Sequence, residues 1–132
     1  MVYRPRSMAS LSQAPRTQGG ILEARPSDVE KHPEVLVIDV RAEAELLGPS
    51  GHIRGVTHLP MEALLRDGLA SVGAHGLAHE TPVILVCEAG MRSRTCAQSL
   101  VARGHLEVYS LVGGMRRWIA EERPVERTRT WK

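Results

Sequence analysis

Cys87-Glu88-Ala89-Gly90-Met91-Arg92-Ser93 is the stretch of this chain whose residue types and order could do chemistry. The aliphatic run Val83-Ile84-Leu85-Val86 leads straight into it, and a helical pattern begins at about Arg92. A thiol at that junction faces the N-terminus of a helix, where free amides and the positive end of the dipole favour a thiolate. Gly90 accepts a positive φ, so successive amides can turn inward as an anion-binding nest around the sulfur. Arg92 adds a permanent charge and a fork of donors. The bland reading is a buried cysteine closing an aliphatic strand. The order strand, Cys, Gly, Arg, helix favours a reactive nucleophile instead.

The other chemistry-bearing residues read more quietly. Asp39 and Arg41 follow the end of a second aliphatic run, Val35-Leu36-Val37-Ile38, where charges usually form a solvated or paired loop. Cys96 lies on the apolar stripe of the helix after Arg92 and reads as core packing, with a resolving thiol the lesser alternative. His52 with His58, and His75 with His79, lack a carboxylate or cysteine to complete a ligand set. They read as surface or cap histidines, and no metal site is expected.

The elements that must hold Cys87 alternate strand and helix. Ile21-Leu22 is a short edge strand, and Ser27-Asp28-Val29-Glu30 has the form of a capping box. Val35–Ile38 and Val83–Val86 are continuous runs, as expected for strands buried on both faces. A short helix is expected over Glu43–Leu47, a strand over Val56–Leu59 and a helix over Met61–Asp67. Apolar Cys96, Ala97, Leu100 and Val101 form a helical stripe that stops at Gly104. Val108–Val112 is the last strand, and Gly113-Gly114 turns into a helix carrying Trp118. Alternating βα units with doubly buried strands predict an α/β fold with a parallel sheet covered on both faces, and function outside the carboxyl ends of its strands.

Composition bounds the rest. The 132 residues make one domain-sized chain, and its apolar runs fall short of the ~20 residues of a membrane span. With no Phe, two Trp and two Tyr, the core must be aliphatic. A formal charge of +2 is too mild for a nucleic-acid partner, and the few aromatics give no stacking platform, while the many arginines suit small anions. Two cysteines make neither a disulfide framework nor a metal knuckle, and no secretory signal opens the chain, so a cytoplasmic protein with reduced thiols is expected. Residues 1–19 read as a flexible arm, 20–126 as the domain and 127–132 as a loose tail.

C-E-A-G-M-R-S resembles the active-site loop of the rhodanese family, and the likeness extends beyond it. Asp39-Val40-Arg41 resembles the family's first signature, and Gly51-His52-Ile53-Arg54-Gly55 through Pro60 its G-H-I-x-G-A…P segment. Ala97, Leu100, Gly104, Val108, Leu111, Gly113-Gly114 and Trp118 fall at the family's spacing from active helix to last helix. The resemblance implies a rhodanese-like three-layer α/β/α fold with a five-stranded parallel sheet. It implies a sulfurtransferase in which Cys87 takes a sulfane sulfur from thiosulfate or another persulfide donor and passes it to cyanide, a thiol or a protein, with no cofactor. On this resemblance Glu88, Ala89, Gly90, Met91 and Arg92 bind substrate, while Asp39, Arg41 and Ser93 support the loop. A persulfide relay or sulfur carrier serving a partner protein is the alternative.

Two acidic residues depart from the family's two-domain thiosulfate enzymes. Those carry basic residues directly after the Cys, where this chain has Glu88, and an Arg six residues after the signature Asp, where it has Glu45. Both changes remove positive charge from near a dianionic donor. Cysteine phosphatases and arsenate reductases of the same fold are more distant, because the phosphatases need five residues between Cys and Arg. Here only Glu88, Ala89, Gly90 and Met91 intervene.

Overall fold

The computed structural model describes residues 20–70, 72 and 79–132. The 1–19 arm and His75 lie outside the described residues. Five strands form one parallel sheet: β1 (Leu22–Ala24), β2 (Leu36–Asp39), β3 (Thr57–His58), β4 (Val83–Val86) and β5 (Val108–Leu111). The helices are α1 (Pro26–Lys31), α2 (Glu43–Leu46), α3 (Met61–Asp67), α4 (Met91–Ala102) and α5 (Gly114–Ala120). The sheet order is β1-β5-β4-β2-β3, which puts β4 at the centre and β1 at an edge.

The period of two along each strand splits the core into two faces. Ile84, Val86, Tyr109 and Leu111 pack with Val29 of α1 and with Met115 and Trp118 of α5. Val83, Leu85, Ile38 and Val108 pack with Leu64 of α3 and with Cys96, Ala97 and Leu100 of α4. Every residue of β4 and β5 is buried, which is why β4 reads as an unbroken apolar run. The three-layer arrangement expected from the alternating pattern is present.

Three local expectations are corrected. Helix α1 starts one residue before Ser27: the Asp28 carboxylate accepts the Arg25 amide at 2.9 Å, so aspartate caps the turn and Ser27 sits inside it. The 127–132 tail is not loose. Its backbone joins the body through Lys132 N to Val56 O (3.0 Å) and His58 N to Lys132 O (2.8 Å), and the Trp131 ring stacks edge-on against His52 and His58. His52 is not a surface histidine: it is fully buried, with Nδ1 at 3.0 Å from Leu46 O and Nε2 at 3.0 Å from Thr130 Oγ1. Among the described residues, no helix is long and apolar enough to cross a membrane.

Candidate active site

Register gathers the site. Asp39 of β2 lies beside Val86 of β4, and Ser110 of β5 beside Leu85, so the ends of three central strands emerge together. Cys87 follows Val86 directly, at the carboxyl edge where parallel sheets carry their chemistry. The loop then turns through Gly90, at φ +107°, into α4. That conformation favours glycine and aims the Gly90 amide back at the sulfur, donating to Cys87 Sγ at 2.9 Å. Cys87 is 1% exposed.

Below the sulfur lies a chain of hydroxyls. The Cys87 thiol donates to Ser93 Oγ at 3.4 Å, and that hydroxyl in turn donates to Gly90 O at 3.1 Å and meets Ser110 Oγ at 2.7 Å. Both serines are buried. Ser110 was missed in the sequence, although a hydroxyl inside the apolar run Val108–Val112 is the signal that could have found it.

Two acid–base pairs flank the loop. Arg41 is fully buried and grips Asp39 by two parallel bonds, Nε to Oδ1 at 2.9 Å and the NH2 nitrogen to Oδ2 at 2.8 Å. It also donates to Gly51 O (2.6 Å), Ser50 Oγ (2.9 Å) and Glu88 Oε1 (3.0 Å). Burial works against the guanidinium charge, but Asp39 and then Glu88 outweigh it and raise its pKa. Arg41 therefore ties the end of β2, the Gly48–Gly51 turn and the active loop to one another. The second pair is a fork: Arg92 meets both oxygens of Glu45 at 2.8 Å each. This bidentate contact holds the Glu45 carboxyl down to about 2.

Those pairs change the reading of Arg92, Glu88 and Glu45. The Arg92 guanidinium, expected to add charge beside the thiolate, is forked on Glu45. Glu88, expected to remove positive charge from near the donor, leans on Arg41 and accepts the Ser50 hydroxyl at 3.1 Å. Ala89 is exposed in the loop, and Met91 stands out from it at 80% exposure. Cys96 is buried in the core, its thiol pushed up to about 12 chiefly by burial.

The loop is clamped from α5. Met115 N donates to Cys87 O at 2.9 Å and Arg116 N to Glu88 O at 3.0 Å, so the loop carbonyls satisfy amides of the first turn of α5. Gly114 permits this approach: a Cβ there would lie 2.5 Å from each of those two carbonyl oxygens. A groove of about 520 Å³ opens beside the loop, bordered by Glu45, Ser50, Glu88 and Arg116. A histidine ligand pair does not form at His58, whose Nε2 lies 2.7 Å from Arg41 O. Among the described residues no group of three or more His, Cys, Asp or Glu is placed to hold a metal ion.

Comparison with known proteins converges on one family. The family described as the rhodanese-like domain matches residues 11–121. The protein YqhL of Bacillus subtilis, uncharacterized by its name, is 34% identical over 62% of this chain and 59% of its own length. The protein named thiosulfate sulfurtransferase GlpE of Coxiella burnetii is 32% identical over 70% of this chain and 79% of its own length. Among solved structures, a rhodanese-related protein from Thermoplasma volcanium superposes with a TM-score of 0.67 at 25% identity, covering 80% of this chain and 98% of its own.

Proposed function

The chain belongs to the rhodanese family, and from that premise we propose that it is a sulfurtransferase whose Cys87 carries a sulfane sulfur as a persulfide. The donor is thiosulfate or another persulfide, and the acceptor is cyanide, a thiol or a protein. The observation that carries this reading is the Gly90 amide directed at Cys87 Sγ at 2.9 Å, within a loop that opens onto α4.

The cysteine thiolate attacks the sulfane sulfur of the donor. The donor's S–S bond breaks, and sulfite, or the donor's thiolate, leaves with the bonding pair. An acceptor nucleophile then takes the outer sulfur and returns the Cys87 thiolate. The Gly90 amide is the donor for the negative charge on sulfur at each stage, as an oxyanion hole holds its charge. Asp39 and Arg41 act through Glu88, as supports of the loop.

Nothing in the site favours phosphoryl chemistry. The four residues between Cys87 and Arg92 make a narrow loop, and Arg92 is engaged by Glu45. Intact mass after thiosulfate treatment tests the proposal: the protein should gain one sulfur atom and lose it on addition of cyanide. Cys87→Ser should fold and gain none, whereas Cys96→Ser should behave as the parent because that thiol only packs. Undiminished sulfur transfer by Cys87→Ser would overturn the mechanism.

A further inference from the structure

Three arginines belong to or contact the Cys87–Arg92 loop, and two are committed. Arg41 is buried among Asp39, Ser50 and Glu88. Arg92 is forked on Glu45. Arg116 is different. Its backbone amide is fixed to Glu88 O at 3.0 Å, its exposed side chain borders the groove, and it forms no ion pair with a carboxylate among the described residues.

On the same groove the matching group is Glu88. Its Oε1 takes both Arg41 and Ser50, and its Oε2 accepts no hydrogen bond among the described residues. The groove thus offers one uncommitted cation and one uncommitted anionic oxygen, beside the residue that follows Cys87. Its volume of about 520 Å³ is far more than a compact oxyanion fills and lies in the range of organic-ligand sites. A thiosulfate dianion would meet Arg116 but would also face the carboxylates of Glu45 and Glu88.

We propose that this groove selects a small α-amino-acid persulfide, its carboxylate held by Arg116 and its ammonium by Glu88. This deepens the sulfur-transfer reading and rests on it. The Cys87 thiolate bonds to the terminal sulfur of the donor and the donor's S–S bond breaks. The amino-acid thiolate leaves with the pair and takes the proton released by the new, more acidic persulfide. Guanidinium is the fitting group because its planar fork matches a carboxylate bidentately.

The test measures persulfide formation on Cys87 by mass, as a function of donor concentration, with four donors of graded charge. These are the persulfides of cysteine (zwitterion), 3-mercaptopropionate (anion), cysteamine (cation) and 2-mercaptoethanol (neutral). Cysteine persulfide should saturate at roughly ten-fold lower concentration than the neutral donor, equivalent to about 1.4 kcal/mol. In Arg116→Ala the ratio of neutral to cysteine half-saturation should fall several-fold toward that of the cationic donor, and Arg116→Lys should restore part of it. An unchanged donor ranking in Arg116→Ala, or equal saturation by all four donors in the parent, overturns this proposal and leaves Cys87 chemistry standing. No persulfide with any donor, or with thiosulfate, overturns both.

Discussion

Replacing Arg41 with leucine should be among the most damaging single changes near the site, and its size follows from burial. Asp39 and Arg41 are both fully buried, and two side-chain bonds of 2.9 and 2.8 Å join them. Without the guanidinium, the Asp39 carboxylate keeps the Arg41 backbone amide, at 3.1 Å, and loses its countercharge. Glu88 and Gly51 O lose a donor in the same step. Removing one partner of a buried pair costs about 3–5 kcal/mol, against a total stability of roughly 5–15 kcal/mol for a domain. For a chain of this length that is a fall in Tm of roughly 10–20 °C. Urea unfolding followed by far-UV circular dichroism measures it. The double variant Asp39→Asn, Arg41→Leu removes the stranded charge and should recover about 1–3 kcal/mol relative to the sum of the single changes. A cost below about 1 kcal/mol for Arg41→Leu, or strict additivity in the double variant, would refute the buried-pair account of this loop's support.

Gly114→Ala drives a Cβ to 2.5 Å from two loop carbonyls at a φ of +56°, so it should cost at least about 2 kcal/mol and slow persulfide formation. Gly55→Ala, at φ +81° with no atom within 4 Å of the added carbon, should cost only about 1 kcal/mol; equal losses in urea would discount the contact. Glu45→Gln frees Arg92, so the thiosulfate KM should fall several-fold at low salt and the gain should shrink as salt rises; a KM unmoved at both ionic strengths would contradict this. His105 is buried with an unpaired Nδ1 among the described residues, and burial, then His79 and Arg103, lowers its pKa. Its folded value lies below its unfolded one, so its stabilising effect is complete above about pH 6.5 and is lost as pH falls through the folded value. The loss is at most about 1.4 kcal/mol per pH unit, and His105→Gln should flatten urea-unfolding stability between pH 7.5 and 5.

How much of this was legible beforehand depends on whether a contact is local. The strand run before Cys87 announces itself because a strand buried on both faces is mostly apolar. Met61–Asp67 and Val83–Val86 occur at the expected residues, and helix α4 starts one residue early, at Met91. Cys87 and the glycine that shapes its loop sit within four residues of each other, so their relation is written in the sequence. The partner of Arg92 is not, because Glu45 lies 47 residues away and only the fold brings them together. The tail shows the same limit. VERTRTWK is polar enough to look loose, yet backbone pairing at Lys132 and one tryptophan against two histidines hold it, and composition carries no record of backbone hydrogen bonds.

The division between backbone and side chains also separates what the loop can do from what it can select. The cradle around Cys87 comes from a main-chain amide whose direction is set by the Gly90 conformation, and from an α5 clamp made of main-chain hydrogen bonds. Of the charges at positions 45, 88, 92 and 116, that of Glu88 is tied into this frame through Arg41 and Ser50. For Glu45, Arg92 and Arg116, changing one should alter the field a donor meets while the Gly90 amide stays in place. Glu45 and Glu88 therefore need not weaken sulfur chemistry in order to disfavour a dianion. They draw Arg92 and Arg41 into internal pairs, and leave Arg116 as the cation that an incoming donor can engage. A loop of this design can keep one reaction while its choice of donor follows the charge around the groove.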